Sequence, residues 1–231
     1  MQSNPNETSN PSQSYQPDQS SVGGGTQGGT LEELLICAEQ FERSTGPSQD
    51  AEKWFRAESE SLLHWANNSG RLLSKAELDG IIGGLRVLEA GLEHQVYFVK
   101  KLGRVVKITK PPRFGLHGDL RIYVQNALWC NLLFMDDIRL EGVVTTVDGV
   151  SLVISQPYVH GQKPTEEEIT EWFTSQGCNC VSPQRWEFPD GTVVADTHQG
   201  NLLKVKSNAL IPIDLHVEKL TGRNLLNLHK Q

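Results

Sequence analysis

The hydrophobic pattern along the chain falls into three regimes. Residues 1–30 are dominated by Ser, Asn, Gln, Pro and Gly, ending in Gly23-Gly24-Gly25 and Gly28-Gly29. With almost nothing to bury, this stretch is expected to be a disordered tail. From Leu31 to about Phe41, and again from Ala51 to Trp65, apolar residues recur at three and four positions with acidic residues between them. That period predicts two amphipathic helices separated by Thr45-Gly46-Pro47-Ser48. A third helical run, Lys75 to about Ile82, is opened by Ser74, whose spacing to Glu77 is that of a capping box. These helices, within residues 31–84, read as packing elements and not as chemistry.

The period then changes from helix to strand. Val96 and Phe98 alternate with polar neighbours, Gly103 breaks the run, and Val105-Val106-Lys107-Ile108 resumes it, which predicts a hairpin. A helix follows from Leu120 to Phe134. Two further strands, Gly142 to Val147 and Ser151 to Ser155, are joined by Asp148-Gly149, a strong turn signal. Thr165 and Glu168 form a second capping box and open a helix to about Ser175. A short hairpin around Pro189-Asp190-Gly191, the segment Val193 to Val205 and a strand from Leu210 to Leu215 complete the body. This order of elements is that of a mixed α+β fold.

Composition narrows the picture only modestly. Hydrophobic residues make up 37% of the 231 and the formal net charge is -7, ordinary for a soluble chain and unlike a broadly nucleic-acid-binding surface. No secretory leader pattern is visible, and the most apolar run, Ala127 to Met135, is too short to span a bilayer. A cytoplasmic protein is expected. Cys37, Cys130, Cys178 and Cys180 show neither a disulfide framework nor four-ligand zinc spacing.

Candidate chemistry is concentrated near the C-terminal end. The strand-like Val193-Val194-Ala195 delivers Asp196 into the polar loop Asp196-Thr197-His198-Gln199-Gly200-Asn201, and Ile211-Pro212-Ile213 delivers Asp214. Phosphoryl transfer needs a carboxylate to orient an attacking hydroxyl and hard oxygen ligands to hold Mg beside the phosphates. Asp196 suits the first task, Asn201 and Asp214 the second. Taken singly, these residues are also what a capped turn uses, and Lys107 is also what a solvated edge strand uses.

The loop Asp-x-His-x-Gly-Asn at 196–201, followed by Ile-Pro-Ile-Asp at 211–214, resembles the catalytic loop and metal-binding strand of protein kinases. It is closer still to the same loop of aminoglycoside phosphotransferase-like kinases. In order, Gly-Leu-Glu-His-Gln-Val-Tyr (91–97), Val-Val-Lys-Ile-Thr-Lys-Pro (105–111), Leu-Phe-Met-Asp-Asp (133–137), Ser-Gln-Pro (155–157) and that loop look like the short kinase-like domain found in polyvalent proteins of phages and conjugative elements. The likeness covers about Ser59 to Val217. It implies a minimal two-lobed kinase-like fold, with a small lobe at about 85–155, a hinge at about 156–161 and a second lobe at about 162–231. It also implies ATP and Mg as the cofactor pair and an unidentified hydroxyl-bearing acceptor. Asp196 would meet the acceptor, Lys107 the phosphates, Gly91 the nucleotide-covering turn, and Gln156 and Tyr158 the adenine through the hinge backbone. Asn201 and Asp214 would hold the metal.

The chain also departs from that pattern. Kinases pair the strand lysine with a helix glutamate, yet no Glu lies between Glu93 and Glu141, and the expected helix offers only Asp119 and Gln125. Val194-Ala195 stands where His-Arg usually precedes the aspartate. The chain ends 17 residues after Asp214, so the usual helical platform for protein substrates is not expected. Two other readings stay open: a nucleotide-binding pseudokinase, and a non-catalytic interaction module of a mobile genetic element using helices 31–82.

Overall fold

Local signals fix the first helices. The computed structural model describes residues 28–46, 50–83, 87–90, 92–115 and 118–221. Helix α1 spans Gly28–Thr45 and α2 Ala51–Asn68, each a few residues longer than its apolar stripe. The Asp50 side chain caps α2 by accepting from the Lys53 N–H. Helix α3, Lys75–Ile82, carries the full capping box between Ser74 and Glu77.

A five-stranded antiparallel sheet follows, built from β1 (Val87–Ala90), β2 (His94–Val99), β3 (Arg104–Thr109), β4 (Arg139–Thr146) and β5 (Gly149–Pro157). Its order is β1-β2-β3-β5-β4. Helix α4 (Leu120–Phe134) connects β3 to β4.

Alternation along β5 shows how the sheet is buried on both faces. Val150, Leu152 and Ile154 pack with Leu31, Leu34, Leu62, Val124 and other residues of α1, α2 and α4. Val153 instead joins Val99, Val106 and Ile108 under Leu78, Ile81 and Ile82 of α3. The N-terminal helices therefore cover the sheet from both faces, α1 and α2 on one and α3 on the other. At Gly142, where β4 is bulged, the segment between α2 and α3 lies close: a Cβ there would be 2.7 Å from the Arg71 carbonyl oxygen and 2.6 Å from Leu73 Cγ.

The rest of the chain is built of shorter pieces. Helix α5 (Glu166–Ser175) opens on the Thr165–Glu168 capping box. Strands β6 (Asn179–Ser182), β7 (Arg185–Glu187), β8 (Val193–Ala195) and β11 (His216–Lys219) form a sheet of order β11-β8-β7-β6. Strands β9 (Leu202–Lys204) and β10 (Leu210–Pro212) pair by themselves. Ile169, Phe173, Trp186, Val194, Leu202, Leu210, Leu215 and Val217 fill the core here, and Cys130 of α4 reaches into it. Phe173 stacks flat on Trp186 with ring centroids 5.0 Å apart.

The fold is thus α+β, with helices preceding the strands as the pattern required. One expected strand differs. Leu210 to Leu215 is not continuous: β10 stops at Pro212, the chain bends at Ile213–Asp214, and β11 starts at His216. Tertiary partners capture the carbonyls that a continuing ladder would use, as described below. Among the described residues no helix is long and apolar enough to cross a membrane.

Candidate active site

Strand pairing alone brings the polar loop and the bend together. β8 leads into the loop 196–201 and β9 leads out of it, while β10 leads into the bend at 213–215 and β11 leads out. Since β9 pairs with β10 and β8 pairs with β11, the loop and the bend must lie side by side. The Ile213 N–H donates to the Asn201 carbonyl at 2.9 Å and closes the junction.

Within the loop, Asp196 takes the left-handed region at φ 60°. Such a conformation costs an L-residue on the order of 1 kcal/mol, least for Asp and Asn. Side chains around it hold that geometry. Asn201 Nδ2 donates to the Asp196 carbonyl at 3.0 Å and to its Oδ2 at 2.6 Å. His198 Nδ1 accepts from the Gly200 N–H at 2.9 Å, which braces the turn. Gly200 lets the ring lie close: a Cβ there would sit 2.6 Å from His198 and displace it. His198 Nε2 stands 3.5 Å from Asp196 Oδ1.

Lys107 enters from the facing sheet. Its neighbours Val106 and Ile108 point toward α3, so alternation turns Lys107 to the other face. There Nζ donates to Asp214 Oδ1 at 2.8 Å and to the Ile213 carbonyl at 3.4 Å. The lysine side chain is 9% exposed and the aspartate 55%. Burial pushes the Asp214 carboxyl up, but the Lys107 ammonium, helped by His94 and His198, holds it below the ordinary range. The expected helix partners of Lys107 do other work: Asp119 caps α4 by accepting from the Ile122 N–H, and Gln125 Oε1 accepts from Arg121.

The remaining expected residues fall in different places. Gly91 lies outside the described residues. Gln156 is still within β5, opposite Val105, and its side-chain Nε2 donates to the Ile213 carbonyl at 2.7 Å. Tyr158 follows β5; its N–H donates to the Gly103 carbonyl and its ring lies 4.2 Å from that of Phe98.

Three neighbours of this centre were not among the candidate site residues, although His94 and Asp136 lie within the motifs at 91–97 and 133–137. His94 is buried, hydrogen-bonded to the Tyr123 hydroxyl at 2.8 Å, and burial together with the nearby Lys107 charge depresses it to about 4. Asp136, just past the end of α4, is pushed up to about 7 by burial, with Lys107 opposing and Asp214 adding to the rise. Asn126 of α4 donates to the Leu215 carbonyl and accepts from the Val217 N–H.

A strand lysine that crosses to an aspartate just after a strand, beside an Asp-x4-Asn loop and under an α-helix inserted between β3 and β4, defines a protein-kinase-like fold. The match of a family model agrees. Residues 56–221 match the family described as serine/threonine/tyrosine kinase found in polyvalent proteins, and the chain belongs to that family. Comparison with curated proteins and with solved structures returns no match.

Proposed function

We propose that this chain is an ATP- and Mg-dependent phosphotransferase acting on a hydroxyl acceptor. The observation that carries the reading is the convergence of Lys107, from the middle of the five-stranded sheet, on Asp214 beside the Asp196–Asn201 loop. The nucleotide would lie between residues 85–155 and 162–231, with the 156–161 segment as hinge.

The residues fit a magnesium ion. Asn201 uses Nδ2 on Asp196, which leaves its amide oxygen for a cation, and Asp214 uses Oδ1 on Lys107, which leaves Oδ2. Among the described residues no three His, Cys, Asp or Glu side chains gather as a metal cluster. An amide and one carboxylate suit Mg, which keeps waters and takes phosphate oxygens as its other ligands. When bound, the ion would screen phosphate charge as the transferred group leaves. Asp196, 51% exposed, has its carboxylate open toward an acceptor hydroxyl and orients it for attack. Lys107 supplies a fixed positive charge to the phosphates.

The test is transfer from labelled ATP to a metabolite and protein mixture, with ATP affinity measured on the same preparation. Asp196→Asn should abolish transfer and leave affinity within about threefold. Equal loss of both would show that Asp196 holds nucleotide instead of acceptor. The direct Lys107–Asp214 bond also favours a second reading, a pseudokinase that binds nucleotide with little turnover, which binding without transfer by the native chain would establish.

A further inference from the structure

Asp214 stands in a bend where the strand ladder is interrupted, so something other than backbone pairing must fix its position. On its N-terminal side the Ile213 carbonyl accepts from Gln156 Nε2 at 2.7 Å. On its C-terminal side a single amide makes two bonds. Asn126 Nδ2 donates to the Leu215 carbonyl at 3.3 Å, and Asn126 Oδ1 accepts from the Val217 N–H at 2.7 Å. Cys130, one turn along α4, adds a weak thiol bond to the same Leu215 carbonyl at 3.4 Å.

Asn is a poor choice for the middle of a helix on propensity alone, since its side chain competes for backbone groups. Here it does so across 89 and 91 positions of sequence, with the backbone of the segment that bears Asp214. A carboxamide carries a donor and an acceptor on one planar group, and here it satisfies both a carbonyl and an N–H two residues apart. The same helix offers no acidic side chain to Lys107: its Asp119 and Gln125 are engaged at its N-terminal end. Helix α4 therefore reaches the aspartate's segment through the backbone of Leu215 and Val217 and not through an acidic partner for the lysine.

We infer that Asn126 is the positioning residue of the Mg-dependent site, locking α4 to the 215–217 backbone so that Asp214 faces the metal. This rests on the phosphotransferase reading above. The start of α4 is held by contacts of its own. Glu42 of α1 holds Arg121 at 2.8 Å, and Glu58 of α2 accepts from the Leu120 N–H at 3.1 Å, so both N-terminal helices grip the start of α4.

The experiment compares ATP affinity with Mg and with chelator in the native chain, Asn126→Leu, Asn126→Asp and Arg121→Gln, together with amide exchange over residues 213–219. Asn126→Leu keeps the size and removes both bonds. It should lose roughly tenfold of the Mg-dependent gain in affinity, keep the chelator affinity within about twofold, and speed exchange at Val217. Asn126→Asp keeps the acceptor for Val217, so Val217 protection should be retained while the Leu215 bond and about half of the logarithmic Mg gain are lost. It carries the test if Asn126→Leu does not fold. Arg121→Gln breaks a bridge elsewhere on the same helix and should lower Tm without changing the ratio of the two affinities. An unchanged ratio in both Asn126 variants, or the same ratio loss in Arg121→Gln, overturns the inference. A native chain with no Mg-dependent gain overturns the reading beneath it, and is recognised because the native chain itself fails.

Discussion

The two sides of the Lys107–Asp214 junction are built by different means. Lys107 stands on a six-residue strand flanked by β2 and β5, in a sheet buried on both faces. Asp196, Asn201 and Asp214 stand at the ends of three-residue strands, where few ladder bonds are available. On the first side the backbone ladder and close packing set the geometry. On the second, side-chain bonds to backbone set it: Asn201 on Asp196, Gln156 on Ile213, Asn126 on Leu215 and Val217. Damage to the first side should therefore appear as lost stability, and damage to the second as lost function in a folded chain.

The largest effect sharpens this contrast on the second side. Asp196→Asn keeps the shape and the tolerance for φ 60°, so Tm should move by only a few degrees while transfer falls by roughly 10²–10⁴. Turnover and melting of the same sample check it, and a drop in Tm that explains the lost activity would break the contrast.

The next effect lies on the first side. Leu152, fully buried between the sheet and its helices, should cost about 2–5 kcal/mol when cut to Ala. Denaturant unfolding gives the value, and ATP affinity of the folded fraction should be unchanged.

Glu58 allows a finer cut through the helical support. Its Oε1 accepts from the Leu120 N–H, its Oε2 is buried without a partner among the described residues, and burial pushes the carboxyl up to about 7 against that bond, with Asp119 and Glu42 adding. A raised carboxyl means that the folded chain holds more protons than the unfolded chain between its ordinary value and about 7. Its contribution to stability is therefore full at low pH and is lost as pH rises through that window. His94, depressed to about 4, has the opposite sign: its contribution grows as pH rises from about 4 to about 6.5. Glu58→Gln removes the first slope alone. Relative to the native chain the variant should gain up to about 3 kcal/mol between about pH 5 and about pH 8. A flat difference would mean that Glu58 does not titrate in this range.

The smallest effect is at the surface of the second side, where Arg185 meets Glu218 at 2.6 Å with both side chains more than 30% exposed. Glu218→Gln should cost less than about 1 kcal/mol by denaturant unfolding, and less still in high salt.

Much of this was legible in the residues because local physics decided it. Ser74 with Glu77 and Thr165 with Glu168 fix helix starts by bonds within one turn, and α3, α4 and α5 lie where the pattern places them. Lys107, Asp196, Asn201 and Asp214 were singled out as candidates by their order along the chain, and the fold brings them together. What could not be read depends on distant partners. The run Leu210 to Leu215 carries one breaker, Pro212, at which β10 ends, but the bend that follows is held by Lys107, Gln156 and Asn126 from other elements. Asn126 and Glu58 look like ordinary polar positions on amphipathic helices until tertiary contacts bury them. Strands β6, β9 and β11 are too short, at three or four residues, for alternation to show.

In the proposed phosphotransferase, Asp214, bonded to Lys107 and followed by backbone that α4 holds, is the carboxylate of a metal-dependent nucleotide site. Thermal unfolding with millimolar ATP, in Mg and in chelator, tests it most directly, because a ligand bound to the folded state raises Tm. The native chain should gain more with Mg than with chelator, and in Asp214→Asn the two gains should converge. A native chain whose Tm is unmoved by ATP with Mg, or a variant that keeps the full Mg-dependent gain, would contradict it.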